Sequence, residues 1–115
     1  MNKENIIIDK SFDFALSIIE LYKEMQMQKE YVLSKQILRS GTSIGANISE
    51  ATASISKKEF ISKMSIASKE ARETKYWLSL LDKSKLVKYD FKNHIEEIEN
   101  ITNILTAIVK TSQHG

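Results

Sequence analysis

Apolar residues recur at three- and four-residue spacing along most of the chain, a pattern that is typical of amphipathic helices. Four helices joined by short turns are expected, and they favour an antiparallel up-down-up-down four-helix bundle. The predicted fold is therefore all-α, with an N-terminal arm at residues 1–10 and one bundle domain at residues 11–112. The helices are predicted at residues 11–26, 30–55, 57–83 and 90–112.

Polar residues before three of these segments are candidate helix caps. Ser11 is the predicted N-cap of the first helix, and Asp90 is the predicted N-cap of the fourth. Ser56 and Glu59 have the spacing of a capping box, in which each side chain bonds the other residue's backbone N–H. A third helix should therefore begin directly after Ser56.

The first predicted helix has more apolar surface than one core stripe requires. Its apolar positions form two series, Phe12–Leu16–Ile19 and Phe14–Ile18–Leu21–Met25. A helix that is apolar over most of its circumference must be covered from more than one side. We therefore expect the first two helices to contact a second copy of the chain.

Two glycines, Gly41 and Gly45, lie inside the second predicted helix. Each costs a helix interior about 1 kcal/mol relative to alanine. Close approach of another helix would compensate for that cost, whereas a local kink is the alternative interpretation. The core stripe of this helix is predicted to include Ile37, Ile44, Ile48 and Ile55.

The composition narrows the functional classes. The chain has 115 residues, no cysteine and no proline, which excludes disulfides and thiolate metal sites. The longest apolar run is residues 6–8, far below the roughly 20 residues of a membrane span, so a soluble cytoplasmic protein is expected. A di-iron bundle requires a glutamate three residues before its histidine, and His94 has Phe91 there, so His94 is expected on a helix surface or near a helix cap. We predict neither a metal nor a cofactor.

A polar stripe on the second helix is the strongest candidate for chemistry. Arg39, Ser43, Asn47 and Glu50 follow one another at three- and four-residue spacing and could hydrogen-bond along one face. Ser43 has no evident histidine base, so we predict no catalytic residue and favour a structural or interface network. The alternative is a hydrolase, which would need an open pocket around Ser43 and a raised pKa at Glu50.

Positive charge is concentrated in the third helix and the turn after it. The net charge of the chain is +2, but residues 57–88 contain nine basic and four acidic residues. This surface could bind the phosphates of a nucleic acid, or it could be an ordinary solvated face partly neutralised by nearby glutamates. The candidate binding residues are Lys57, Lys58, Lys69, Arg72 and Lys75.

The second-helix stretch from Gln36 to Ala51 contains the run Ser-Ile-Gly-Ala-Asn-Ile-Ser-Glu-Ala at residues 43–51. Together with the third-helix run from Glu70 to Leu78, it closely resembles a known family, the proteins encoded within intervening sequences of bacterial large-subunit ribosomal RNA genes. In the family pattern, Gln and Arg precede Ser-Ile-x-Ala-Asn-Ile-x-Glu, which is followed by Gly or Ala. Position 45, often Pro in relatives, is Gly here, and position 51, often Gly, is Ala. The matching second-helix residues are Gln36, Arg39, Ser43, Ile44, Ala46, Asn47, Ile48, Glu50 and Ala51.

The resemblance implies an antiparallel four-helix bundle that forms a homopentameric ring and has no known catalytic activity. Similar accessory proteins of diversity-generating retroelements present a basic surface to a reverse transcriptase and nucleic acid. We therefore expect a non-enzymatic scaffold or binding module that engages nucleic acid, or a nucleic-acid enzyme, through the third helix. A purely structural ring with a protein partner is the alternative.

Overall fold

Four helices and the turns between them make up the computed structural model, which describes residues 2–114. Helices α1 and α3 each pack against both α2 and α4, so the four helices form one bundle about 46 Å long and 20 Å wide. This confirms the predicted all-α fold. The helices are α1 (Lys3–Met27), α2 (Leu33–Thr52), α3 (Lys57–Ser84) and α4 (Lys92–His114).

The N-terminal residues predicted as an arm are part of α1. Asn2 caps the helix, because its side-chain oxygen accepts a hydrogen bond of 2.9 Å from the backbone N–H of Asn5. Ile7 is fully buried and extends the core stripe of the helix by a further turn. Ser11 is not an N-cap: it lies within the helix, where its hydroxyl donates to the carbonyl of Ile8 at 3.1 Å.

Helix α2 is shorter than predicted at both ends. The carboxylate of Glu30 accepts hydrogen bonds from the backbone N–H groups of Val32, Leu33 and Ser34, so Glu30 caps the helix from outside. At the other end a turn begins at Ala53. Ile55 was expected in the core, but it follows that turn and its side chain is 95% exposed.

The remaining caps fix the bounds of α3 and α4. The hydroxyl of Ser56 accepts from the N–H of Glu59 at 3.1 Å, which is one half of the predicted capping box; the Glu59 carboxylate accepts from the N–H of Ile55 and not from that of Ser56. Asp90 accepts from the N–H of Lys92 at 3.0 Å. Helix α3 ends at Ser84, and the next residue, Lys85, adopts a left-handed conformation with φ of 57°.

One residue joins two turns at the same end of the bundle. The amide of Gln28, at the end of α1, accepts from the N–H of Lys88 at 2.7 Å and donates to its carbonyl at 2.8 Å. Since Lys88 lies in the connection between α3 and α4, both turns meet at this end, as an up-down-up-down bundle requires.

The core is a single apolar cluster to which all four helices contribute. The buried residues of α3 recur at three- and four-residue spacing from Met64 to Leu81. His94 and Ile101 of α4 are buried, and Ile95 is only partly buried. The α3 residues in the core are Met64, Ala67, Ala71, Thr74, Leu78 and Leu81.

The two glycines of α2 allow α1 to approach closely, and α2 continues through both without a break. A Cβ atom on Gly41 would lie 2.9 Å from both γ-carbons of Ile18. A Cβ atom on Gly45 would lie 3.4 Å from the carbonyl oxygen of Ser11. The close-approach interpretation is therefore correct, and the kink is not observed.

Candidate functional site

A row of polar contacts runs along the contact between α2 and α3, and we call it the α2–α3 seam. It consists of Arg39 and Ser40 from α2 with Glu70, Glu73, Thr74 and Trp77 from α3. The guanidinium of Arg39 donates to Glu70 at 3.0 Å and also to Glu73. The indole N–H of Trp77 donates to the same Glu73 oxygen at 3.0 Å. One arginine therefore pairs with two carboxylates of the neighbouring helix, and it offsets half of their negative charge.

The contacts of the seam stabilise the ionised forms of both Glu73 and Arg39. The hydrogen bond from Trp77 lowers the pKa of Glu73 below its ordinary value of 4.5, and the hydrogen bond and positive charge of Arg39 add to that effect. The hydrogen bond to Glu73 raises the pKa of Arg39. Deeper in the seam, the fully buried hydroxyls of Ser40 and Thr74 are hydrogen-bonded at 2.9 Å.

The four polar residues predicted on α2 do not converge on one site. Arg39 reaches α3 as described, and Glu50 forms a separate ion pair with Lys63 at 3.3 Å. Asn47 donates to the carbonyl of Ser43 at 2.9 Å and lies 3.2 Å from its hydroxyl. Only Ser43 and Asn47 contact each other. The arrangement links α2 to α3, and the side chain that contacts the Ser43 hydroxyl is the amide of Asn47, which is not a general base.

The candidate basic residues of α3 lie in two groups along the helix. Lys57 and Lys58 are exposed in its first turn, roughly 15 Å from the second group at 1.5 Å per residue. The second group contains Lys69, Arg72 and Lys75, all exposed. Within residues 2–114, Lys75 lies 3.9 Å from Glu99 of α4, whereas Lys69 and Arg72 form no ion pair.

Two acidic residues of α3 face α2, on the flank opposite Arg72. Glu70 and Glu73 face α2, where Arg39 holds them. Glu59 is part of the helix cap, and its carboxylate accepts from the N–H of Ile55 at 3.5 Å. The glutamates that sequence reasoning set against the basic residues are thus engaged elsewhere, and the side of α3 bearing Lys69 and Arg72 is predominantly positive.

An open apolar groove of about 450 Å³ lies between α1 and α2, and we call it the α1–α2 groove. Large apolar side chains of α1 stay exposed there, including Phe12 at 64% and Leu16 at 50%. The α2 wall is formed mainly by small residues such as Gly45 and Ala46. These are the surplus apolar and small-residue faces that the sequence predicts for helices one and two.

His94 lies in the first turn of α4, near the helix cap, but it is buried, which corrects the expectation of a surface position. One ring nitrogen lies 3.4 Å from the carbonyl oxygen of Ser17, and the other has no hydrogen-bond partner within residues 2–114. The ring packs against Phe14 and Tyr89. Burial raises the pKa of Tyr89, and the nearby carboxylates Glu24 and Asp90 add to this effect.

The described part of the chain shows neither a metal-ligand cluster nor a helix that could span a membrane. Residues 2–114 contain no group of three or more histidine, aspartate or glutamate residues arranged to hold a metal ion. None of the four helices, as described, combines the length and apolarity that crossing a membrane would need.

Comparison with known proteins gives a consistent result. The family described as 23S rRNA-intervening sequence protein matches residues 3–107. A crystal structure of a protein with unknown function from the S23 ribosomal protein family of Bacteroides thetaiotaomicron is 47% identical and has a TM-score of 0.90, covering 95% of this chain and 99% of that one. No curated protein matches the chain. Since the family match extends over nearly the whole sequence, this chain belongs to the 23S rRNA-intervening sequence protein family.

Proposed function

We propose that this protein is a non-enzymatic assembly module that binds the phosphate backbone of nucleic acid through the basic residues of α3. Its copies associate through the α1–α2 groove, and the family resemblance implies a pentamer. The observation that carries the nucleic-acid proposal is the separation of charge on α3. Arg39 pairs with Glu70 and Glu73 on the α2 side of α3, which offsets part of their negative charge and keeps it on the flank opposite Arg72, where a polyanion can approach.

The moderate net charge of one chain makes assembly important for this function. One copy of the cluster formed by Lys69, Arg72 and Lys75, on a chain of net charge +2, is expected to bind a polyanion weakly. Repeating the group around an oligomer would let several copies act on one strand, which increases avidity without any new contact. The exposed apolar side chains of the α1–α2 groove support association, because monomeric proteins rarely leave adjacent large apolar residues uncovered.

Binding is tested by fluorescence anisotropy with labelled single-stranded RNA and DNA at low salt. We expect micromolar protein to bind both, with affinity that falls as salt rises. The double variant Lys69→Gln/Arg72→Gln should weaken binding at least tenfold. The matched control is Lys35→Gln/Lys92→Gln, which removes the same charge from exposed positions on α2 and α4 and should bind nearly as the wild type does.

Assembly is tested by light scattering coupled to size exclusion. The wild type should be an oligomer, and Phe12→Glu should dissociate it by burying a charge in the interface. Leu86→Glu is the control, because Leu86 is 54% exposed but lies outside the groove. An oligomer that binds neither RNA nor DNA would refute the nucleic-acid proposal and favour the alternative, a structural ring with a protein partner. A wild-type monomer would refute the assembly proposal.

A further inference from the structure

A second groove, between α3 and α4, collects hydrogen-bond donors and positive charge. Its volume is about 240 Å³, and it is open to solvent. The lining residues of α3 are three and four positions apart, so they lie on one face of that helix, and the same is true of the lining residues of α4. The polar residues that line it are Ser65, Ser68 and Arg72 from α3 and Thr106, Lys110 and Gln113 from α4.

The cations and two hydroxyls of this groove have no partner in the described chain. Within residues 2–114, neither Arg72 nor Lys110 forms an ion pair or a hydrogen bond. The same holds for the hydroxyls of Ser65 and Ser68. Many helical hydroxyls instead donate to a carbonyl one turn back, as Thr106 does at 2.8 Å. The groove therefore contains several donors that are not used within the fold.

The surroundings of the groove leave this positive charge uncompensated. No acidic residue lines the groove, and the sequence contains none after Glu99. Glu99 itself lies near Lys75, two turns before Thr106 toward the start of α4. Glu70 and Glu73 lie on the opposite flank of α3, held by Arg39. Within residues 2–114, Arg72 and Lys110 are thus two cations from different helices that line one groove, and neither is paired with a carboxylate.

We propose that the α3–α4 groove binds a phosphate group between Arg72 and Lys110. Arginine and lysine supply charge and N–H donors, and serine hydroxyls complete the oxygen contacts. The volume lies below the roughly 300 Å³ at which pockets for drug-sized ligands begin, so the groove suits one phosphate and its ester oxygens better than a whole nucleotide. This inference deepens the proposed function by placing Lys110, outside α3, beside Arg72 on the same phosphate. The phosphate is either a backbone phosphodiester or a free phosphate ion.

Two measurements separate these sources. The first is anisotropy with the labelled oligonucleotides, comparing Arg72→Gln, Lys110→Gln and the double variant against Lys92→Gln as the control. Each groove variant should weaken binding about five- to tenfold at low salt and reduce the salt slope by about one. The double variant should lose less than the product of the two single effects, because both cations contact one phosphate. Lys110→Arg should keep most of the affinity, since it keeps the charge.

The second measurement is titration of the wild type with inorganic phosphate, followed by backbone amide chemical shifts. Shifts confined to residues 65–72 and 106–113, with no oligonucleotide bound, would support the groove as a free-phosphate site and refute nucleic-acid binding. Loss of oligonucleotide affinity in Arg72→Gln but not in Lys110→Gln would refute the groove and leave the basic group of α3 as the binding surface. Binding of neither phosphate nor oligonucleotide would overturn both proposals.

Discussion

The contact between Gly41 and Ile18 gives a sharp test of how α1 and α2 pack. In Gly41→Ala, the new Cβ would lie 2.9 Å from Cγ1 and Cγ2 of Ile18, at least about 0.6 Å inside the optimal carbon–carbon separation. Such overpacking costs about 1–3 kcal/mol. Alanine also gains about 1 kcal/mol over glycine in a helix interior. The net change should lie between no effect and a destabilisation of about 2 kcal/mol.

Gly45→Ala is the matched control, because it lies one turn away in the same helix and faces the same neighbour. Its Cβ would lie 3.4 Å or more from the atoms of Ser11, which is ordinary contact. Alanine should therefore stabilise the protein there by up to about 1 kcal/mol. Since the propensity gain is common to both variants, the difference between their free energies of unfolding measures the contact with Ile18.

The assay is urea denaturation followed by circular dichroism, at several protein concentrations so that self-association is separated from folding. A double-mutant cycle with Ile18→Ala adds a second criterion. That substitution alone should cost about 2–5 kcal/mol, but less in the Gly41→Ala background, because the new methyl group fills part of the space. The reasoning is refuted if Gly41→Ala stabilises as much as Gly45→Ala, or if the cycle shows no coupling.

Three further outcomes follow from the described contacts. Gln28→Ala should lower stability by about 1–2 kcal/mol in the same urea assay, because both hydrogen bonds to Lys88 are lost; an unchanged midpoint would contradict this. Thr74→Val should cost about 1–3 kcal/mol by leaving the buried Ser40 hydroxyl without its partner, whereas adding Ser40→Ala should recover most of that loss. Because the pKa of Glu73 is lowered in the folded state, its ionised carboxylate stabilises the fold above pH 4.5, and this stabilisation is lost as the pH falls through the folded-state pKa. The difference in free energy of unfolding between wild type and Glu73→Gln should therefore shrink between pH 6 and pH 3. A difference that stays constant with pH would refute this prediction.

The periodicity of the sequence was sufficient for the fold, because each core stripe is a local property of one helix. The predictions of burial were wrong where a polar residue occupies a core position. Ser11 and His94 are both buried, and both were assigned by residue type to a cap or a surface. Spacing would have corrected both: Ser11 lies four residues after the buried Ile7, and His94 lies four residues before the buried Ile98.

The partners of the polar stripe could not be inferred from one helix. Arg39 is 31 and 34 residues from the glutamates it contacts, so spacing along α2 says nothing about them. The same limit applies to the α3–α4 groove. Lys110 was predicted only as a solvent-facing residue of the fourth helix, and only the packing of α4 on α3 brings it to the same groove as Arg72.

The charge separation on α3 follows from the helix period. Each residue turns the helix by about 100°, so positions one before the core stripe and one after it lie on opposite flanks. Glu70 and Glu73 come directly before the core residues Ala71 and Thr74, on the flank that contacts α2. Arg72 comes directly after Ala71, on the flank that contacts α4.

Exchanging the charges of adjacent positions would therefore move them between flanks without changing the composition. A chain carrying both Arg72→Glu and Glu73→Arg keeps its net charge. It should lose oligonucleotide affinity, because an acid enters the α3–α4 groove, and it should lose stability, because an arginine then faces Arg39. If affinity followed net charge alone, this variant would bind as the wild type does, and the position of the charges would have no part in the function.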